Sequence, residues 1–213
     1  MNKDRIKTAV LEQVRAAAGS EGPVVAVDLP LGATGFAADL AILDDEFIGV
    51  VVADAADAVR DLSRRLEITS HYFERVVLIA APDRLPDLGP GTLSGATVWT
   101  HDRDGRLVEH DPGTGNRVGL NARFDLLRMD ERRYFLGELV LTDGAEPRGA
   151  FTAPAPRTRA LFGMVFTARY GQASAAFWAT TAGRPIAPDD LALLVGQAEP
   201  RDATRRERRR AAA

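Results

Sequence analysis

Asp39 interrupts an apolar run, F-A-A-D-L-A-I-L, and is the residue of this chain best placed to do chemistry. A carboxylate carried on a strand can bind a hard divalent cation if further oxygen ligands converge on it. Asp28, Asp54 and Glu67 are acids that could reach toward it, and Glu12 could do so from the first helix. Activating a water at such a centre also calls for a base or an orienting cation. Lys3 and Lys7 are the only lysines, and every other basic residue apart from three histidines is arginine. Arginine stays protonated at any working pH, so it cannot serve as a base.

The remaining motifs carry less. His71, His101 and His110 are the three histidines. A two-residue hairpin turn at Asp104-Gly105 would set His101 opposite Val108 and His110 opposite Trp99, which keeps the imidazoles apart. That argues against a closed zinc site, which needs four convergent ligands. Asp102-Arg103-Asp104-Gly105 lacks the register and the terminal Glu of a calcium loop. Gly113-Thr114-Gly115 lacks the third glycine and the following helix of a phosphate cradle. Ser63, Ser70 and Ser174 stand in no nucleophile-elbow context. Trp99 and Trp178 read as core residues.

The elements that must position Asp39 follow from periodicity. Residues 3–18 read as a helix with Ile6, Val10, Leu11 and Val14 on one face. Strands are expected at 24–31, 36–43 and 47–53, the last two joined by the short turn Asp44-Asp45-Glu46. A helix is expected over 55–71, then a buried β-branched strand at 75–80. The second hairpin pairs 96–100 with 106–110, and a helix is expected over 121–139. Residues 144–157 are rich in Gly, Ala and Pro and read as a linker, and spacing favours helix over 157–181. The expected division is an α/β domain at 1–143, that linker, a helical appendage at 158–200 and a basic tail at 201–213.

Composition bounds the class. With 46% hydrophobic and 27% charged residues over 213 positions, the chain is that of an ordinary globular protein large enough for a sizeable core. The charged and apolar residues of the N-terminus alternate, unlike a secretion signal, and no window has the length of a membrane span. The absence of cysteine excludes disulfides and thiolate metal sites. A cytoplasmic protein with no membrane partner is the expectation. Charge is uneven along the chain. Positions 201–213 hold six Arg against one Asp and one Glu, a net of +4, so the chain total of −3 leaves −7 on residues 1–200. An acidic body does not attract a phosphate backbone, whereas Arg205, Arg206, Arg208, Arg209 and Arg210 of the tail could bind nucleic acid weakly and without sequence preference.

Read together, A-A-D-L at 37–40, G-V-V-V-A-D-A at 49–55, R-L-E-I-T-S-H-Y-F-E-R-V at 65–76 and V-L-I-A at 77–80 make a recognisable text. V-W-T-H-D-R-D-G-R-L at 98–107 and L-L-R-M-D-E-R at 126–132 continue it. The segment from about residue 5 to 135 resembles the PD-(D/E)XK restriction-endonuclease-like superfamily, in particular a family of small bacterial nuclease-like proteins. That family's pattern runs strand with R-A-D, hairpin, G-Y-E-I-K-S-D, helix with Q-x-E-A-Y-S-K-V-F-D-R-V, then an apolar strand.

The resemblance implies a mixed central sheet flanked by helices, with Mg²⁺ held by the acid of the first strand and a second acid, and a lysine two residues on. By that correspondence Asp39 is the first acid. Val51 replaces the second acid and Ala53 the lysine, while Arg65 and Thr69 replace the Gln and Tyr of the helix. A restored metal set would have to draw on Asp28, Glu67 or Asp54. The expected function is a catalytically degenerate nuclease-like protein that binds or scaffolds, with protein as its partner and no cofactor. The alternatives are an active Mg²⁺-dependent DNA endonuclease with a rearranged site, and a regulatory or immunity-type partner of an active nuclease. The oligomeric state is not legible in the sequence.

Overall fold

A computed structural model describes residues 2–18, 22–54, 56–89, 93–102, 106–143 and 155–195, the side chains of 140–143 excepted. The chain is an α/β protein with a six-stranded mixed sheet in the order β1-β2-β3-β4-β5-β6. The elements are α1 (Lys3–Ala17), β1 (Val24–Pro30), β2 (Ala37–Leu43), β3 (Phe47–Val52), α2 (Val59–Tyr72), β4 (Arg75–Ala80), β5 (Thr97–His101) and β6 (Leu107–Asp111). They are followed by α3 (Leu120–Asp125), α4 (Met129–Asp143) and α5 (Ala155–Thr181), then a 3₁₀ turn at Pro188–Leu191 that runs into a last turn of helix, α6 (Ala192–Val195).

Short turns make β1–β2 and β2–β3 antiparallel, while the α2 crossover returns β4 parallel to β3. β5 is parallel to β4, and β6 folds back antiparallel. Alternation divides the strands between two cores. Val25, Leu40, Ile42, Val50, Val52, Val77 and Ile79 meet α1 on one face. Ala41, Phe47, Val51, Val76, Leu78 and Ala80 meet α2 and the later helices on the other. Phe47 centres the second core, with the rings of Phe73, Phe162 and Phe166 at 4.5, 5.0 and 5.1 Å. Gly49 lies in contact with Phe73, and a Cβ there would stand 2.5 Å from the ring.

Three boundaries differ from expectation, each for a local reason. Helix α2 starts at Val59 rather than near 55, because Asp54 and Asp57 hold a turn: the Asp54 N–H donates to Asp57 Oδ2 at 2.8 Å. The helix expected over 121–139 is two helices broken at 126–128. Glu131 Oε2 accepts from the Arg128 N–H at 2.7 Å and so starts α4 afresh. The β5–β6 register is shifted by one, with His101 opposite Leu107 and Thr100 opposite Val108. The Asp102 N–H bonds to Arg106 O, so three residues rather than two separate the strands. A bulge at Val98/Trp99 then restores the pairing and leaves His110 extra, its Nε2 2.9 Å from Thr100 Oγ1.

The C-terminal segment is helical and shares the cores of the sheet. The first half of α5 puts Leu161, Phe162, Val165 and Phe166 into the α2-side core, and its second half puts Phe177 and Trp178 into the α1-side core. Between the two, α5 crosses the edge of β1. There Ser174 Oγ accepts from the Val25 N–H at 2.8 Å, and Trp178 Nε1 donates to Pro23 O at 2.8 Å. An edge strand otherwise offers unpaired backbone groups to other chains, and α5 covers this one. A second tie is Glu74, whose Oε1 receives Arg123 at 2.7 Å and Arg159 of α5 at 3.0 Å, while its Oε2 accepts from the Phe47 N–H at 2.9 Å. Of the expected linker, 144–154 lies outside the described residues, and 155–157 already belongs to α5; the tail at 201–213 lies outside them as well.

Two outcomes test this arrangement. Ser174→Ala strands a buried N–H of the edge strand and is expected to cost about 1–3 kcal/mol in urea denaturation. Arg184 reaches both carboxylate oxygens of Asp190, at 2.7 and 2.8 Å. Hydrogen bonds from Arg184, then from the Ala187 N–H, hold that carboxyl down to about 2 from 3.8. A depressed carboxyl stabilises the fold above its unfolded value, so this contribution is present at neutral pH and is lost as pH falls from about 4 toward 2. Carboxyl NMR titration should find the Asp190 midpoint near 2, and Arg184→Ala should move it upward.

Candidate functional site

The ladder between β2 and β3 ends at the pair Leu40–Val50. One position further, Asp39 faces Val51 on the side of the sheet covered by α2. The strands part here, and the next β3 group directed at β2 is the Val52 N–H. Asp39 Oδ2 accepts it at 2.6 Å, so the side chain takes the place of a strand partner. Arg65, projecting from α2, donates to the same oxygen at 2.5 Å and to Val52 O at 3.3 Å. Both backbone groups of Val52 are therefore satisfied by one ion pair. The pair is buried, with 8% of the Asp39 side chain and 15% of the Arg65 side chain exposed.

The other residues of the implied site add no donor. Val51 is fully buried, and Ala53 lies at the margin of the same core. Thr69, one turn along α2, is buried and turns its Oγ1 back to Arg65 O at 2.7 Å. Its hydroxyl supports the helix segment that carries the guanidinium. Glu67 projects to solvent beside Arg60, Ser63 and Arg64 on the outer surface of α2, away from Asp39.

Asp28 is the most instructive of the expected acids. The β1–β2 register sets it opposite Asp39, where a regular strand would put two carboxylates side by side. Instead Asp28 has φ +51°, a left-handed conformation uncommon for any residue but Gly. Its carboxylate turns to the α1 side and accepts from Lys7 Nζ at 2.8 Å. The reversal also shifts the alternation. Leu29 and Leu31 join the α2-side core, although Val25 and Val27 point to the other face. Lys7 is thereby buried on the far side of the sheet, at the floor of an open cleft of about 540 Å³ that Asp4 and Asp189 also line. Glu12 is committed to structure too, since its Oε1 accepts from the Ile186 N–H at 2.5 Å and its Oε2 pairs with Arg15.

These side chains do not fit Mg²⁺. One carboxylate oxygen is held by an arginine and a backbone N–H, the positions implied for the second acid and the lysine carry hydrocarbon, and a guanidinium stands over the remaining acid. Among the described residues no three His, Asp or Glu side chains come together as a metal site would require. The tail residues Arg205, Arg206, Arg208, Arg209 and Arg210 lie outside the described residues. Sequence reasoning passed over Arg65 as the partner of Asp39, since a 26-residue separation carries no periodic signal. It also passed over the left-handed Asp28.

Arg65→Met leaves a buried, unpaired carboxylate and is expected to cost about 3–5 kcal/mol. The double variant Asp39→Asn/Arg65→Met should recover a large part of that loss, because no net charge then remains buried. Urea denaturation of both variants and of Asp39→Asn completes the cycle.

No curated protein and no solved structure matches the chain. The family described as bacteriophage P4 protein cII matches residues 1–195. That span takes in every strand and helix from α1 to α6, so it covers the sheet, the Asp39–Arg65 pair and the helix that closes the β1 edge. The chain belongs to the bacteriophage P4 protein cII family.

Proposed function

We propose that this protein acts by binding or scaffolding, on the frame of a metal-dependent nuclease whose catalytic chemistry has been lost. The observation that carries the reading is the Arg65 guanidinium 2.5 Å from Asp39, with Val51 and Ala53 at the positions where the resemblance implies an acid and a lysine. It supplies internally the positive charge that a metal ion would supply in a working site. The element order α1-β1-β2-β3-α2-β4, two antiparallel steps and then a parallel crossover, supports the resemblance stated for the sequence.

Protein is the favoured partner, because residues 1–200 carry −7 and repel a polyphosphate. Nucleic acid contact, where it occurs, is assigned to the +4 tail. Such contact releases counterions and weakens steeply with salt.

With millimolar Mg²⁺ or Mn²⁺ the purified protein is expected to leave plasmid and single-stranded DNA intact, and calorimetry should show no metal binding. Cleavage that Asp39→Ala abolishes would overturn the proposal. Deleting 201–213 should remove most DNA affinity together with its salt dependence, whereas salt-sensitive binding by the truncated chain would place a functional groove on the body.

A further inference from the structure

Helix α5 shows a surface unlike that of any other helix here. From Ala160 to Ala182 its only charged residue is Arg169, and that side chain is 8% exposed and paired with Glu131. Its exposed positions, among them Met164, Ala168, Gln172, Ala175 and Ala179, carry no charge. A helix face left in water ordinarily carries charged side chains, and one that is apolar all round is covered. Beside the N-terminal half of this face runs an open groove of about 470 Å³ between α4 and α5. Met164 and Tyr134, 60% and 50% exposed, line it together with Arg128, Asp130, Glu131 and Arg169, and Met129 on α4 is 66% exposed.

We propose that this face is covered by the α5 helix of a second copy of the chain, packed antiparallel about a two-fold axis near Gly171–Gln172. Three observations select that occupant. Charge comes first: a body of −7 has a net repulsion toward its own copy, and the α5 face, free of charged side chains, adds no local like-charge contact to it. A charge-free face equally offers no electrostatic address to an acidic or basic partner.

Size is the second. Antiparallel pairing about that axis sets Met164 of one copy over Ala179 of the other, and Ala168 over Ala175. The large side chain then meets a small one at both ends, and the Ala and Gly residues at the centre allow close approach of the axes. Extent is the third. The run from Ala160 to Thr180 is roughly 30 Å long at 1.5 Å per residue. With α4 alongside, which adds Met129 and Tyr134 together with the exposed Asp130 and Arg133, the contact is roughly 20 Å wide and buries about 600 Å² per chain, at the lower limit for a stable protein–protein interface.

The inference stands apart from the reading of the Asp39 site. Light scattering on the full chain at micromolar concentration should give twice the chain mass. Ala175→Glu, at an exposed position in the middle of the face, should weaken the dimer at least about 100-fold by burying an unpaired charge, with the circular dichroism spectrum unchanged and the thermal midpoint no longer dependent on protein concentration. Because the chain has no cysteine, Gln172→Cys gives a clean cross-link: under mild oxidation it should form a disulfide dimer, while Ser63→Cys on the outer surface of α2 should not. A full chain that stays monomeric, a dimer indifferent to Ala175→Glu, or equal cross-linking at both cysteines would overturn the proposal.

Discussion

A carboxylate enclosed beneath a helix must meet an opposite charge, and the Asp39–Arg65 pair is where this fold satisfies that requirement. The pair does more than neutralise itself. It closes the fork where β2 and β3 separate, receives the Val52 N–H, donates to Val52 O and pins α2 against the sheet. Every other device at the fork follows from it. Val51 and Ala53 fill the core beside the pair, and the Thr69 hydroxyl bonds the helix backbone at Arg65 O. An ion pair of this kind contributes modest net stability while making its own partial removal costly, so it acts as a constraint on the fold more than as a source of energy.

A second constraint lies at the far edge of the sheet. β1 is an edge strand that continues two hydrophobic cores, and it can be left neither to solvent nor to another chain. Helix α5 resolves both problems by crossing the edge obliquely: phenylalanines fill the core on one face, Phe177 and Trp178 fill the other, and Ser174 acts as a backbone surrogate between them. The opposite edge, β6, is exposed and is guarded by Glu109, Asp111 and the bulge at His110. The match of the cII family to residues 1–195 agrees with this integration, since a unit cut before α5 would leave β1 bare and Glu74 without Arg159.

The same helix connects the architecture to the proposed role. The inner sides of α5 are used by the sheet, and its outer side carries neither charge nor a catalytic group. The fold keeps its shape through ion pairs: Asp39 with Arg65, Asp28 with Lys7, Glu74 with Arg123 and Arg159.

The sequence by itself determined the layering and the residue types that surround Asp39. The apolar runs at 37–43 and 47–52, the apolar stripe of α1 and the β-branched run at 75–80 are local signals, and hydrophobic burial reads them the same way wherever the chain goes. That Val51 and Ala53 offer no lone pair is a matter of composition. Tertiary structure alone decided where the charges went. Nothing local says that Arg65 reaches Asp39, because the contact depends on how α2 crosses the sheet. Nor does anything local say that Asp28 adopts a left-handed backbone; that conformation is sustained by Lys7 on one face and the need of Leu29 and Leu31 for the core on the other. The C-terminal helix divides in the same way. Its spacing predicts a helix, but a near-uniform apolar surface does not reveal that it wraps an edge, since which side is buried changes along its length as it passes from one face of the sheet to the other.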